Sequence, residues 1–271
     1  MTEATGRYAG KTVLITQADD ALSEALARRY AAEGAKLVLA GMRDGDEWVA
    51  RRGAAKDENL TPAGKCDWDE ERVLRVKSDL TSFDGAQALL ERALDKFGGI
   101  DAAAIYSDVV RRCSIEDAAP AFIKRQMDEN CRPYFTLTRA LGEHMAMRGT
   151  GRIVYVSSIH GDKPTGCAFA YAMAKGALNM LCKEAALWLG RAGCAVNLIQ
   201  AGSLEGDEER FENELSGYHY RQNIKIPRRR CGTPDEIAPV CAFLTSDEAA
   251  FVNGAILKVD GGQILHYRYR T

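Results

Sequence analysis

The chain has 271 residues, 46% hydrophobic and 27% charged, which is enough apolar surface to close the core of one large α/β domain. A formal net charge of −2 gives no electrostatic basis for binding nucleic acid or an anionic membrane, and no apolar run approaches the ~18 residues that span a bilayer. The opening stretch MTEATGRYAGK lacks the apolar segment of a signal peptide, so the expectation is a cytoplasmic protein.

In chain order, short apolar runs alternate with helix-like segments. Lys11–Thr16 (KTVLIT) is a β-branched run, and Ala21–Gly34 then puts Leu22, Ala25, Leu26 and Tyr30 on one helical face, with Gly34 as its stop. Lys36–Ala40 and Val73–Lys77 are the second and third strands, and Ser82–Phe97 is a helix. Ile100–Ile105 is the fourth strand. Ala119–Arg148 reads as one long helix that tolerates Pro133 only as a kink or boundary. Arg152–Ser157 (RIVYVS) is the fifth strand, Ala170–Arg191 a long helix, and Ala195–Ile199 the sixth strand. Pro234–Ser246 is a helix opened by a Thr-Pro-x-Glu capping pattern, and Ala255–Val259 is the seventh strand.

Apolar strands separated by helices predict an α/β fold: a doubly wound, Rossmann-type, seven-stranded parallel sheet flanked by helices, in a single domain over 1–271. Ligands of such a fold lie at the carboxyl ends of the strands. Two stretches break the rhythm. Residues 41–71 form a long polar connection, and 203–230 is polar and aromatic, then basic, as a substrate lid after the sixth strand would be. The tail 264–271 (ILHYRYRT) either reaches across an interface or frays.

The eight cysteines (Cys66, Cys113, Cys131, Cys167, Cys182, Cys194, Cys231 and Cys241) make no CxxC pair, and none has a histidine at metal-ligand spacing. They read as free thiols and no metal is expected, with Cys167 a further candidate to line a site because it precedes Tyr171 by four residues.

Tyr171-Ala-Met-Ala-Lys175 places a phenol and an ammonium on one helical face. The cation favours the phenolate and makes Tyr171 a usable proton donor or acceptor. Ser158, ending the preceding strand, can hydrogen-bond a substrate oxygen, and Asn130 can fix a water or the geometry of Lys175. His160, near the same strand end, is either a second acid–base group or a loop histidine bonded to backbone.

The stretches GRIVYVSSIHG, YAMAKGALNMLCKEAALWLG, AVNLIQAG and RRCGTPDEIAPVCAFLTSDEAAFVNGAILKVDGG resemble the short-chain dehydrogenase/reductase family, and the resemblance runs from about Gly10 to Gly262. It implies that Ser158, Tyr171 and Lys175 correspond to the family's catalytic triad, Asn130 to its fourth member, and Asp79 to its adenine-contacting aspartate. The cofactor half departs from the pattern. Where the family has T-G-x-x-x-G-x-G, this chain has Thr16-Gln17-Ala18-Asp19-Asp20-Ala21-Leu22-Ser23, so Gln17, Ala21 and Ser23 replace the three glycines. Asp19 and Asp20 put carboxylates where phosphates would lie, and like charges about 4 Å apart repel by roughly 4 kcal/mol at an effective dielectric of about 20. Carboxylates there also serve as ordinary helix caps. The family's N-N-A-G is Ile105-Tyr106-Ser107-Asp108, its P-G is Ala201-Gly202, and the threonine that holds the nicotinamide amide is Gly206 or absent. Arg43 would face a 2′-phosphate if a cofactor bound, and is otherwise a solvated loop residue. The expected consequence is a cofactor space filled by Gln17, Tyr106 and Asp108, or by another ligand.

Three functions stay open. In the first, Tyr171, Lys175, Ser158 and Asn130 carry out acid–base chemistry on a small carbonyl or hydroxyl substrate without NAD(P): dehydration, isomerisation, epimerisation or retro-aldol cleavage. The second is an NAD(P)-dependent short-chain alcohol dehydrogenase or ketoreductase with a divergent loop. The third is a non-NAD-binding pseudoenzyme subunit beside an active sister, such as that of a hydroxyacyl-CoA dehydrogenase. The resemblance implies a homotetramer or hetero-oligomer built through Ala119–Arg148, Ala170–Arg191 and the last strand.

Overall fold

β-Branched and aliphatic runs too short for helices become the strands of one sheet in the computed structural model, which describes residues 6–18, 20–41, 69–205 and 226–265. They are β1 (Thr12–Ile15), β2 (Lys36–Gly41), β3 (Val73–Lys77), β4 (Ala102–Tyr106), β5 (Gly151–Ser158), β6 (Cys194–Ala201) and β7 (Ile256–Val259). The seven strands lie in the order β3-β2-β1-β4-β5-β6-β7, and every neighbouring pair is parallel. This is the doubly wound arrangement that the alternation predicts. The chain builds outward from β1 to β3 and then returns beside β1 with β4, so the winding reverses at the carboxyl ends of β1 and β4. A crevice opens at such a point.

Side chains of period two sort the core onto the two faces of the sheet. Leu14, Val38, Ala103 and Ile105 pack with α2 (Phe83–Phe97), α4 (Arg132–Arg148) and α5 (Phe169–Gly190) through Leu89, Leu137 and Leu178. Val13, Ile15, Leu37 and Ala104 pack on the other face against α1 (Ala21–Ala32) and α6 (Pro234–Leu244) through Leu26, Ile237 and Cys241. Thr233 and Glu236 form the capping box at the start of α6 that the sequence predicts.

The helical stretch expected over Ala119–Arg148, with a kink or boundary at Pro133, takes the boundary: it is two helices, α3 (Pro120–Asn130) and α4, parted at Cys131 (φ −125°). Pro133 has no N–H for the helical ladder, and its ring clashes with the carbonyl four residues earlier. That carbonyl belongs to Glu129, and the Ser107 hydroxyl donates to it at 2.5 Å. The break therefore belongs to the site, because it turns the end of α3 towards the loop after β4. Among the described residues no helix is long and apolar enough to cross a membrane. The expected lid falls mostly on 206–225 and the expected tail mostly on 266–271, outside the described residues.

Candidate active site

The crevice is built from the loops after β1, β4, β5 and β6. Thr16 ties the first two together: its hydroxyl donates to the Tyr106 carbonyl (2.6 Å) and accepts the Tyr106 N–H (2.7 Å). Gln17 follows in the left-handed region (φ +47°), and its Oε1 accepts the Asp108 N–H at 2.8 Å. Asp20 is the N-cap of α1 and its Oδ1 accepts the Leu22 N–H at 2.9 Å. Buried Ser23 donates to the Thr16 carbonyl at 2.7 Å, while Ala21 starts the helix at the surface. Asp19, Arg43 and Gly206 lie outside the described residues.

α5 carries Tyr171 and Lys175 one turn apart, and Lys175 is completely buried. A buried ammonium costs several kcal/mol unless it is paired and hydrogen-bonded. Lys175 Nζ donates to the Ser107 carbonyl at 2.5 Å, and it lies 3.2 Å from Asp108 Oδ1. The Tyr171 hydroxyl donates to the same Oδ1 at 2.7 Å. Phenol, carboxylate and ammonium thus converge on one oxygen. The ring of Tyr171 lies 5.2 Å and that of Tyr134 5.8 Å from the ammonium. Burial pushes the Tyr134 phenol far up, with the Asp108 charge acting in the same direction, so that hydroxyl stays neutral.

Ser158 ends β5, and its Oγ accepts the His160 N–H at 3.2 Å. Its own proton is left to point elsewhere. His160 Nδ1 lies 2.9 Å from the Lys163 carbonyl, which only accepts, so Nδ1 carries the proton. Burial holds the imidazole below its ordinary value, against the opposing effect of that backbone bond. His160 is therefore a neutral ring with an unprotonated Nε2, set edge-on to Tyr171. Leu22, Tyr106, Asp108, Ser158, His160, Tyr171 and Gly202 line one pocket. Gly202 is needed for space: a Cβ there would lie 2.7 Å from the Asp260 Cα.

Two sequence expectations change. Asn130, expected to fix a water or Lys175, is buried and bonds the loop after β4 instead. Its Oδ1 accepts the Val109 N–H (2.9 Å), and its Nδ2 donates to the carbonyls of Val109 (2.9 Å) and Gln126 (3.2 Å). The helix break sets it there, level with the loop rather than with the ammonium. Asp108, read as bulk in the cofactor half, belongs to the acid–base half. The signal for it was available: Lys175 faces the apolar sheet and needs an anion, and Asp108 is the carboxylate just beyond the end of β4. Asp79 is exposed and accepts from Thr81 N–H (2.9 Å) and Thr81 Oγ1 (2.6 Å) in the turn before α2. Ile105 is fully buried in the core, and Cys167 packs with Val110 and Ala168 against Tyr171. Among the described residues no cluster of three His, Cys, Asp or Glu side chains has the arrangement of a metal site.

Comparison with known proteins places these features in company. A family model described as enoyl-(acyl carrier protein) reductase matches residues 17–263. The oxidoreductase UcpA of Salmonella typhimurium is 30% identical over 267 residues, spanning 96% of this chain and 97% of the relative. Glucose 1-dehydrogenase 2 of Bacillus subtilis is 28% identical over 95% of this chain and 96% of its own. The crystal structure of levodione reductase superposes with a TM-score of 0.81 at 27% identity, covering 96% of this chain and all of that one (100%).

Proposed function

The chain belongs to the short-chain dehydrogenase/reductase family, and from that premise we propose that it acts on a small carbonyl or hydroxyl compound, with Tyr171 exchanging a proton with the substrate oxygen. Ser158 donates its free hydroxyl proton to the same oxygen, and Tyr106, His160 and Leu22 bound the space around it. Lys175 supports the phenol through the Ser107 carbonyl and Asp108.

The relatives carry the names of dehydrogenases and reductases over nearly their whole length, which favours hydride exchange with a nicotinamide dinucleotide over proton transfer alone. The residues of this chain do not fit that cofactor. A pyrophosphate needs free amides and a positive helix end. Here the first-turn amide of Leu22 is taken by the Asp20 carboxylate, and a second carboxylate, Asp108, stands on the ammonium and the phenol. No step is therefore derived through a dinucleotide. The reading this geometry supports best is dehydration, keto–enol isomerisation, epimerisation or retro-aldol cleavage driven by proton transfer at Tyr171. The single observation that carries the choice is Asp20 on the Leu22 N–H, an internal anion in the anion site.

Titration with NADH and with NADPH, followed by nicotinamide fluorescence, tests the choice. The expected result is no saturable signal into the millimolar range. Saturation at micromolar concentration would transfer the chain to the dehydrogenase or ketoreductase reading that its relatives favour.

A further inference from the structure

The turn after β5 sets a histidine ring against the pocket and leaves one of its nitrogens unused. The Ile159 carbonyl accepts the N–H groups of Asp162 (3.0 Å) and Lys163 (2.9 Å), which closes the turn. Three elements then pin it. Asn179 of α5 donates to the Asp162 carboxylate (2.9 Å), Gln200 of β6 donates to Asn179 Oδ1 (3.2 Å), and Lys258 of β7 pairs with Asp162 at 2.9 Å. Gly161 lies so close to α5 that a Cβ there would stand 3.0 Å from the Lys175 carbonyl. Within this frame the Lys163 carbonyl accepts from His160 Nδ1 at 2.9 Å, which fixes both the tautomer and the direction of the ring.

A histidine that served only to close the turn would need Nδ1 alone, and its other nitrogen would be sealed in the core or paired. His160 Nε2 is neither. Among the described residues it has no hydrogen-bond partner, and the side-chain atoms that are both sealed and unpaired belong to Gln126, Arg152, Ser157 and Gln200. Its lone pair is therefore open, and the space that His160 lines is the pocket it shares with Ser158 and Tyr171. Burial keeps the imidazole below its ordinary value, so this nitrogen accepts and does not donate. Ser158 supplies the opposite kind of group. Its Oγ accepts the His160 N–H at 3.2 Å and keeps a proton to give. Two residues of one turn thus set a donor and an acceptor on the same wall.

We propose that His160 Nε2 reads a second hydroxyl on the substrate, so that the pocket selects hydroxy-ketones and diols over plain ketones and alcohols. The reacting oxygen accepts from Ser158 beside Tyr171, and a neighbouring O–H of the same molecule donates to His160. No bond is made or broken at the imidazole, whose role is specificity. The inference rests on the reading above that a carbonyl or hydroxyl compound occupies this pocket, and it adds which members of that class are chosen. A plain ketone or alcohol fills the same space but leaves a desolvated acceptor without its bond, which lowers affinity by about ten- to a hundredfold.

Nitrogen-15 NMR of the imidazole rings in the full chain tests this without turnover. The four histidines are labelled, and H160F or H160Q, whichever keeps the native circular dichroism spectrum, identifies the His160 signals. Acetone is titrated against hydroxyacetone, and isopropanol against propylene glycol. The hydroxylated member of each pair is expected to bind about tenfold tighter or more, and to move the Nε2 resonance towards the protonated range as a donated hydrogen bond does. The preference is expected to fall to near parity in H160F and to return in part in H160Q, whose side-chain carbonyl offers an acceptor in place of the ring nitrogen. Equal affinity within each pair, an Nε2 resonance that stays still, or a preference that survives in folded H160F would overturn the assignment. So would failure of all four compounds to bind throughout the millimolar range. Turnover of the same compounds, with and without NADH or NADPH, tests the function separately. If the preference and the shift are present and nothing turns over, the acceptor stands and the catalytic reading fails. If plain and hydroxylated compounds turn over alike, the catalytic reading stands and the role of His160 falls.

Discussion

Gln17 sets two small free energies against each other. A side chain in the left-handed region costs roughly 1–2 kcal/mol that glycine does not pay. Its Oε1 in return satisfies the Asp108 N–H, a bond of about 1 kcal/mol. Q17G should therefore leave stability within about 0.5 kcal/mol of the unsubstituted protein, because relief of the backbone offsets loss of the bond. Q17A keeps the strain and loses the bond, so it should destabilise by about 1 kcal/mol. Urea unfolding of both variants checks this, and a clear gain for Q17G would mean that the carboxamide contributes nothing. The sequence reveals Gln17 only as a missing glycine, because a motif registers what is absent and not which amide a new side chain reaches. Tyr171, Lys175 and Ser158 were legible at this scale because helix and strand periodicity fix which way each points. Asp108 and Asn130 were named from the sequence but their bonds were not legible, because the partners lie on other elements: Tyr171 and Lys175 on α5 for Asp108, and the loop after β4 for Asn130.

Elements were legible wherever period and capping agree. β3 spans Val73–Lys77 in both sequence and structure, and α6 starts where the Thr233 capping box puts it. The end of α1 is an example: it stops at Ala32 with Glu33 as its C-cap, and Gly34 follows in the left-handed region (φ +93°), its N–H on the Ala31 carbonyl and that of Ala35 on the Tyr30 carbonyl (both 3.0 Å), so the glycine is the stop that the pattern predicts. Glu33 is also the tie between α1 and the segment before β1. It accepts from Arg7 Nε (2.6 Å) and Nη2 (2.7 Å), and from Arg29 Nε (2.5 Å). The bonds from Arg7 lead in holding its carboxyl below the usual range. A carboxyl lowered in the folded state stabilises above its unfolded value near 4.3, and that stabilisation is lost as pH falls through the folded value. E33Q should therefore cost about 1 kcal/mol at neutral pH. Its difference from the unsubstituted protein should shrink below about pH 4 in denaturant melts run across the range. A constant difference across that range would separate the effect from the charge.

For the molecule as a whole, the fold follows from the alternation of strands and helices, since a parallel sheet needs a crossover between neighbours and both faces covered. Assembly follows from what the cover leaves exposed. α5 buries Tyr171, Lys175, Leu178, Cys182 and Leu189 and turns Met173, Met180 and Leu187 outward at seven-residue spacing, with Trp188 beside them. α4 adds Phe135 and Met147, and Leu187 and Met147 are 68% and 83% exposed. One such side chain is ordinary, but a helix stripe repeated every seventh residue is the seam of a helix–helix contact. The expected state in solution is an assembly of at least two chains packed through α4 and α5, either copies of this chain or this chain with a sister subunit of the same fold. Light scattering on the purified protein should give a multiple of the chain mass, and co-expressed partners of similar size would appear in the same peak. M180E combined with L187E should release a monomer that keeps its circular dichroism spectrum, since neither side chain belongs to the core. A protein that is already monomeric at micromolar concentration, or a double variant that assembles as before, would move the contact elsewhere on the surface. The candidate pocket opens at the strand ends, on Leu22 of α1 and on residues at the ends of β4, β5 and β6, so separation of the chains should leave the ionisation of Tyr171 unchanged.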